Sequence, residues 1–242
     1  MSALLSVEAV GKRFRGLLAV DNVSFTVAPG AIFAVIGPNG AGKTTLFNMI
    51  AGELAPDQGT IVFAGARIDR RKPDQVCRRG IGRTFQLVRP FPALTVEDNV
   101  IVGALLHRSD VVIARRRAHE VLWQLDLFDK RHQQASALTL PDRKRLEVAR
   151  ALATDPKLLL LDEVMAGLRP AETDRMVAIL TRLNRETGLT ILLIEHVMRA
   201  VMALASRVLV LHHGAAIAEG PPEAVVREPA VVESYLGAEA VD

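Results

Sequence analysis

Residues Gly37 to Thr45 form the stretch of this sequence that points most directly to chemistry. They read Gly-Pro-Asn-Gly-Ala-Gly-Lys-Thr-Thr and fit the pattern G-x-x-x-x-G-K-[ST]. Glycines let backbone N–H groups approach phosphate oxygens, because no Cβ intervenes. A following helix adds free N–H groups and a dipole that favours an anion. The stretch therefore predicts a phosphate-binding loop in which Lys43 reaches the β- and γ-phosphates and Thr44 offers its hydroxyl to Mg²⁺.

The neighbouring residues give this loop the context that it needs. Ala31 to Ile36 is a short apolar run typical of a buried strand, and Lys43 to Ile50 is typical of a helix that stops near Gly52. The alternative interpretation is a glycine-rich turn without a ligand. The motif predicts a nucleoside triphosphate and leaves the reaction open.

Polar residues also follow two other apolar runs. Asp162 and Glu163 come directly after Leu158 to Leu161, and His196 follows Thr190 to Ile194. In open α/β sheets, ligands bind beyond the carboxyl ends of the strands. Asp162 suits a Mg²⁺ ligand, Glu163 an acceptor for the proton of an attacking water, and His196 a partner of the γ-phosphate. Acids and histidines are also common at strand ends without any function.

Strands that alternate with helices predict an α/β fold with a largely parallel sheet. We expect one domain over residues 4–237, with a β-rich N-terminal part. Residues from about 86 to 153 read as almost entirely helical, so we expect them to form an inserted helical subdomain. Residues of about 221–237 predict a helical tail.

Composition limits the possible partners. The chain has 242 residues and a net charge of +3, without a dense basic tract interleaved with aromatics, so no nucleic-acid partner is expected. A single cysteine, Cys77, excludes a disulfide within the chain and indicates a reducing compartment. No apolar run approaches the ~18 residues of a membrane span. We therefore expect a soluble, cytoplasmic protein, for which any contact with a membrane would have to come through a partner.

Taken in order, these motifs resemble those of the ATP-binding subunits of ABC transporters over nearly the whole chain. The resemblance implies a P-loop NTPase of the ABC type that hydrolyses ATP with Mg²⁺. It also implies a head-to-tail dimer with a second, identical or different, ATP-binding subunit, and transmembrane permease subunits. Phe14, which composition alone suggests is a packing residue, matches the aromatic that stacks on adenine.

The resemblance also assigns roles to individual residues. Catalysis falls to Glu163, His196 and Gln86, and Mg²⁺ binding to Thr44, Gln86 and Asp162. Nucleotide binding falls to Phe14, Val20, Gly37, Pro38, Asn39, Gly40, Ala41, Gly42, Lys43, Thr44 and Thr45.

Within the family, the chain looks most similar to the larger, G-type ATPase of branched-chain amino-acid importers. The similarity lies in Phe14 to Val20, Gly82 to Gln86, Phe91 through Val100, and Tyr235 to Gly237. Importers of urea, other amides or aromatic acids resemble the same subgroup. Docking to the membrane subunit is expected between about residues 86 and 103, through Leu87, Val88, Phe91 and Leu94.

One stretch departs from the family. Its signature loop, Leu-Ser-Gly-Gly-Gln, contacts the ATP held by the opposite subunit. The matching residues here are Leu138, Thr139, Leu140, Pro141 and Asp142. Proline has no N–H to offer a phosphate. Asp142 adds a negative charge there, which we expect Arg143 or Lys144 to offset. In a heterodimer, the site that uses this loop is expected to be the slower one.

Two other functions remain as alternatives. The altered signature is compatible with a nucleotide-binding subunit that closes around ATP but hydrolyses little of it. The presence of Glu163 and His196 argues against this alternative. A soluble ABC protein acting on nucleic acid or ribosomes is the other alternative. Such proteins usually carry two cassettes or long insertions, whereas this chain has one cassette and no basic tract.

Overall fold

The computed structural model describes residues 3–85 and 90–239. The strands are β1 (Leu5–Phe14), β2 (Leu17–Val27), β3 (Ile32–Ile36), β4 (Gln58–Phe63), β5 (Ala66–Arg67), β6 (Ile81–Arg83), β7 (Leu158–Asp162), β8 (Thr190–Ile194), β9 (Arg207–His212) and β10 (Ala215–Gly220). The helices are α1 (Lys43–Ile50), α2 (Pro73–Arg78), α3 (Val96–Ala104), α4 (Val111–Gln124), α5 (Leu140–Leu152), α6 (Pro170–Thr187), α7 (Met198–Leu204), α8 (Pro222–Val225) and α9 (Pro229–Glu239). None of the helices in these ranges combines the length and hydropathy that a bilayer span requires.

The chain divides into two compact units. The flanking unit consists of Met1–Val76 together with Thr190–Asp242, and the central unit of Cys77–Leu189. The phosphate loop and His196 belong to the flanking unit, whereas Asp162, Glu163 and the signature loop belong to the central unit. The limits predicted for the single domain and for its helical subdomain stay predictions.

The flanking unit contains two sets of strands. An antiparallel sheet has the order β2-β1-β4-β5. In the second set, β3 pairs in parallel with both β8 and β9, and β10 pairs antiparallel with β9. All five residues of β3 and of β8 are buried, which is why both strands read as continuous apolar runs. Strand β3 ends at Ile36, and the phosphate loop begins at the next residue, Gly37.

The central unit places β6 beside β7 in parallel, with Ile81 opposite Leu158. Thr95 caps the N-terminus of α3, because its Oγ1 accepts a hydrogen bond from the Asp98 N–H over 3.0 Å. Helix α6 ends at Gly188, which caps it with a φ of 67° in the left-handed region.

The C-terminal tail, predicted to be helical over about 221–237, is built from two separate helices. The structure has two helices, α8 and α9, with a break before Pro229. Proline has no N–H for the helix ladder, and it disfavours the helical conformation of the preceding residue, Glu228. Helix α9 packs against β10 in the flanking unit.

Candidate functional site

The phosphate loop connects β3 to α1 in the flanking unit, as the sequence predicts. Lys43 is buried, and its Nζ donates to the backbone oxygens of Gly37 over 2.7 Å and of Pro38 over 2.9 Å. Gly42 occupies the N-cap of α1 with a φ of 100°, and no side chain of the described residues caps the helix. The first N–H groups of a helix have no intrahelical acceptor. The loop therefore combines an ammonium group with uncapped N–H groups, which suits a phosphate.

Two glycines of the loop are pressed against neighbouring backbone. A Cβ on Gly37 would lie 2.1 Å from the carbonyl oxygen of Leu211, and one on Gly42 would lie 2.3 Å from that of Ala19. Both glycines also have positive φ angles, which side chains disfavour. Any larger residue would displace the loop from strands β2 and β9. The shape of the loop is therefore built into the fold.

Phe14, the predicted adenine contact, and Val20, a predicted nucleotide-binding residue, also lie in the flanking unit. Phe14 ends β1 with 41% of its surface exposed, and the Nζ of Lys12 lies 5.8 Å from the ring centroid. Lys12 is paired with Asp57 at 2.8 Å. Val20 is fully buried in β2. An exposed ring can stack on a base, so the assignment of Phe14 stays a prediction that this position allows.

Asp162 is the last residue of β7 and has only 1% of its surface exposed. Its Oδ2 accepts a hydrogen bond from Arg83 over 3.4 Å, whereas Oδ1 has no hydrogen-bond partner among the described residues. Burial raises the pKa of the Asp162 carboxyl, against the opposing charge of Arg83. A buried carboxylate oxygen with unused lone pairs is a suitable ligand for a hard cation. This residue therefore fits the Mg²⁺ site that the sequence predicts.

Glu163 follows in a left-handed backbone conformation with a φ of 50°. Such conformations in residues other than glycine cost free energy and cluster at functional sites. Its carbonyl oxygen accepts from the Nζ of Lys144 over 2.9 Å. The N–H of the preceding residue, Asp162, donates to the buried hydroxyl of Thr84, which follows strand β6, over 3.1 Å. Lys144 and Thr84 thus support the two acids, and no sequence pattern marked either residue for this role.

For three other predicted site residues, the structure gives less information about their surroundings. Thr44 lies exposed in the first turn of α1, and His196 lies exposed two residues beyond β8. Gln86 lies outside the described residues, as do Leu87 and Val88. Their assigned roles stay predictions.

The structure corrects one expectation about the signature loop, namely which cations offset the charge of Asp142. Asp142 is buried, and its carboxylate accepts hydrogen bonds from Lys130 and Arg145. The sequence led us to expect Arg143 or Lys144 in this role, but Arg143 is exposed and the Nζ of Lys144 donates to the backbone carbonyl of Glu163. Helical geometry explains why Arg145 and not Arg143 pairs with Asp142: residues three apart lie on the same face of a helix, whereas adjacent residues do not.

A third group also binds Asp142: the Thr139 hydroxyl donates to Oδ2 over 2.8 Å. Burial alone would raise the pKa of Asp142, but hydrogen bonds from Lys130 and Thr139 and the charge of Arg145 hold it below its ordinary value. Asp142 therefore uses the one proton that the Thr139 hydroxyl can donate. Pro141, in the first turn of α5, contributes no N–H. In this structure the loop thus presents few donors to a phosphate.

Comparison with known proteins identifies relatives that are ATP-binding proteins of transporters, in agreement with the phosphate loop described above. The family model for ABC transporters matches residues 20–166, and a model for branched-chain amino acid ATP-binding cassette transporters matches residues 217–241. The high-affinity branched-chain amino acid transport ATP-binding protein LivG of Escherichia coli K12 is 39% identical, over 97% of this chain and 98% of its own. The lipopolysaccharide export system ATP-binding protein LptB of Haemophilus influenzae is 36% identical, over 97% of this chain and 98% of its own.

Solved structures confirm the predicted fold class. The ADP conformation of MJ1267, an ATP-binding cassette of an ABC transporter, superimposes with a TM-score of 0.89 at 31% identity, covering 98% of this chain and all of that one. A phosphate loop between a buried strand and a helix, an acidic pair at the end of another buried strand, and these full-length similarities agree with one another. The chain therefore belongs to the ABC transporter family, as an ATP-binding cassette.

Proposed function

We propose that this chain is the ATP-hydrolysing subunit of an importer for branched-chain amino acids or a related small solute, such as urea, another amide or an aromatic acid. The name of LivG and the family match at residues 217–241 support the branched-chain group. The name of LptB refers to lipopolysaccharide export, so sequence identity by itself does not select the solute.

The observation that carries this proposal is the phosphate loop, with a buried Lys43 and an uncapped N-terminus of α1. In the proposed function, these groups bind the β- and γ-phosphates of ATP, and Phe14 stacks on adenine. Thr44, Asp162 and Gln86 would hold Mg²⁺, which neutralises charge on the phosphates when bound. Glu163 accepts the proton of the attacking water, and His196 hydrogen-bonds the γ-phosphate.

The proposed assembly is a head-to-tail pair with a second ATP-binding subunit, docked on permease subunits at the cytoplasmic face of a membrane. Phe91 and Leu94, two of the four predicted docking residues, expose 43% and 37% of their surfaces. Apolar side chains at such a surface are available for a protein partner. Alanine at both positions is expected to impair transport while leaving nucleotide binding intact.

A second candidate function rests on the signature loop. Because Asp142 occupies the Thr139 hydroxyl and Pro141 lacks an N–H, this chain can be a nucleotide-binding subunit with little hydrolysis of its own. In a heterodimer, the site on this chain's own phosphate loop would be completed by the partner's signature. The other site would depend on the donor-poor loop and hydrolyse more slowly.

Mg²⁺-dependent ATP hydrolysis tests the proposal, with Glu163→Gln as the decisive variant. We expect turnover to fall at least about 100-fold, since a general base contributes on this order. ADP affinity should stay within about twofold, because binding rests on the phosphate loop. Glu186→Gln, an exposed helical position in the same unit, is the matched control.

Three outcomes separate the candidates. Turnover that Glu163→Gln abolishes supports the hydrolytic subunit. ADP binding by a wild-type chain without turnover, alone or with its partner ATPase, supports the second candidate. Turnover that survives Glu163→Gln contradicts the assignment of the base. Uptake of leucine, urea or an aromatic acid by vesicles carrying the assembled transporter identifies the solute.

A further inference from the structure

A small cavity of the central unit lies beside the signature loop. It has a volume of about 230 Å³, and Thr139 and Pro141 of the loop form part of its wall. Three cations and two acids also line it, so the wall has an excess of positive charge. These charged residues are Lys130, Arg145, Arg175, Asp142 and Glu172. A cleft whose wall has this balance attracts an anion.

Among the described residues, two cations contact the loop through the carboxylate of Asp142. Arg145 has only 8% of its side chain exposed, and it also donates to two backbone carbonyl oxygens, over 3.0 and 3.3 Å. Lys130 ends a short 3₁₀ turn and has 39% of its side chain exposed. Lys130 is therefore the cation that an incoming ligand can reach at the loop.

The ammonium group of Lys130 has donors left for such a ligand. A lysine carries three N–H donors. Within residues 3–85 and 90–239, the Nζ of Lys130 has one acceptor, Oδ2 of Asp142. The same oxygen accepts the proton of the Thr139 hydroxyl, and Pro141 has no N–H. Asp142 therefore occupies one donor of the loop and holds beside the loop a group that has two donors unused.

We propose that Lys130 binds the phosphates of the ATP held by the opposite subunit, and that Asp142 positions it for this role. The inference rests on the proposed head-to-tail assembly. A lysine binds phosphate as a point charge, so it does not need the backbone geometry that Pro141 removes. The ion pair with Asp142 orders the long side chain before the ligand arrives, which lowers the entropic cost of binding. A side chain from outside the loop thus replaces backbone donors within it.

ATP-driven dimerisation of the full-length Glu163→Gln chain tests the inference, because slow hydrolysis lets the ATP-bound dimer accumulate. Light scattering measures it, with the partner ATPase added where the chain does not pair with itself. Adding Lys130→Met should raise the ATP concentration for half-maximal dimerisation about tenfold, as expected for one charged hydrogen bond. Lys130→Arg should restore most of this loss. Lys157→Met, at an exposed position of the same unit, is the matched control and should change nothing.

A second comparison separates phosphate binding from a role in which Lys130 only neutralises Asp142. In a Glu163→Gln chain that also carries Asp142→Asn, the acid is absent, so a neutralising lysine would have no further effect. We expect Lys130→Met to weaken dimerisation at least about threefold there too.

The outcomes distinguish this inference from the proposed function. If Glu163→Gln dimerises and Lys130→Met leaves its ATP dependence unchanged, in either background, the inference alone is overturned. If Glu163→Gln stays monomeric at saturating ATP, with and without the partner ATPase, the proposed assembly fails and the inference fails with it.

Discussion

The side chain of Lys144 in helix α5 donates a hydrogen bond to the backbone carbonyl of Glu163 over 2.9 Å. This bond joins helix α5, which contains the last three residues of the signature loop, to the turn that carries the proposed general base. Lys144 is 5% exposed, so solvent offers little compensation if the bond is lost. The turn itself is strained, because Glu163 has a φ of 50°. The backbone of Glu163, which carries the proposed catalytic carboxylate, is therefore held in part by a residue of another element, helix α5.

Lys144→Met tests this dependence, because it keeps the length of the side chain and removes the donor. We expect ATP hydrolysis to fall about tenfold, as a charged hydrogen bond of moderate strength predicts. ADP affinity should remain within about twofold, since the phosphate loop lies in another segment. The measurement is steady-state hydrolysis together with calorimetric binding of ADP.

Arg143→Met is the control for this variant, because Arg143 is the adjacent cation and is exposed. It removes the same charge without touching Glu163, and its hydrolysis should match wild type. If Lys144→Met and Arg143→Met hydrolyse ATP at the same rate, Lys144 has no positioning role.

Asp142 is expected to stabilise the central unit. Asp142→Asn leaves Arg145, which is buried, without its carboxylate partner. Removing one member of a buried ion pair costs about 3 kcal/mol of unfolding free energy. In a chain of this length that loss lowers the thermal midpoint by about 6–12 °C. Urea unfolding measures the loss, and Asp129→Asn, at an exposed position, should stay within about 0.5 kcal/mol of wild type.

The pH dependence of this difference has a definite sign. The pKa of Asp142 is lower in the folded chain than its ordinary value. Such a group stabilises the fold fully above its unfolded-state pKa, near 3.9, and loses that effect as pH falls through the folded-state pKa. The gap between wild type and Asp142→Asn should therefore be constant near pH 6 and shrink below about pH 4. A gap that grows on acidification contradicts this account.

The features predicted correctly from the sequence are those encoded by neighbouring residues. Gly37 to Thr45 specify a loop through glycine conformation and helix-start chemistry, all within one turn of chain. The break before Pro229 was also readable in principle, because proline restricts the residue before it.

Contacts between distant segments could not be read in this way. Lys130 reaches Asp142 from a separate 3₁₀ turn, so proximity in sequence wrongly favoured Arg143 and Lys144. Nothing in local propensity or periodicity encodes which distant side chain fills such a position, since tertiary packing decides it.

Pro141→Gly tests whether the signature loop limits hydrolysis. The substitution adds an N–H in the first turn of α5, whereas Thr139 stays bound to Asp142. One N–H donor directed at the phosphate that is being transferred lowers the activation free energy by at most several kcal/mol. We therefore expect the rate of ATP hydrolysis by a homodimer to rise about tenfold, which is a partial recovery. Pro170→Gly, in the first turn of α6, is the control for the loss of proline itself and should not raise turnover.

The same substitution separates the two sites of a heterodimer. This chain's signature loop would complete only the site that holds the partner's ATP. Pro141→Gly should therefore accelerate that site alone and leave unchanged the one built on this chain's own phosphate loop. Single-turnover hydrolysis, with the partner's phosphate-loop lysine replaced so that it no longer binds ATP, isolates this chain's site. A rate increase there would mean that Pro141 acts through the fold and not as a missing donor.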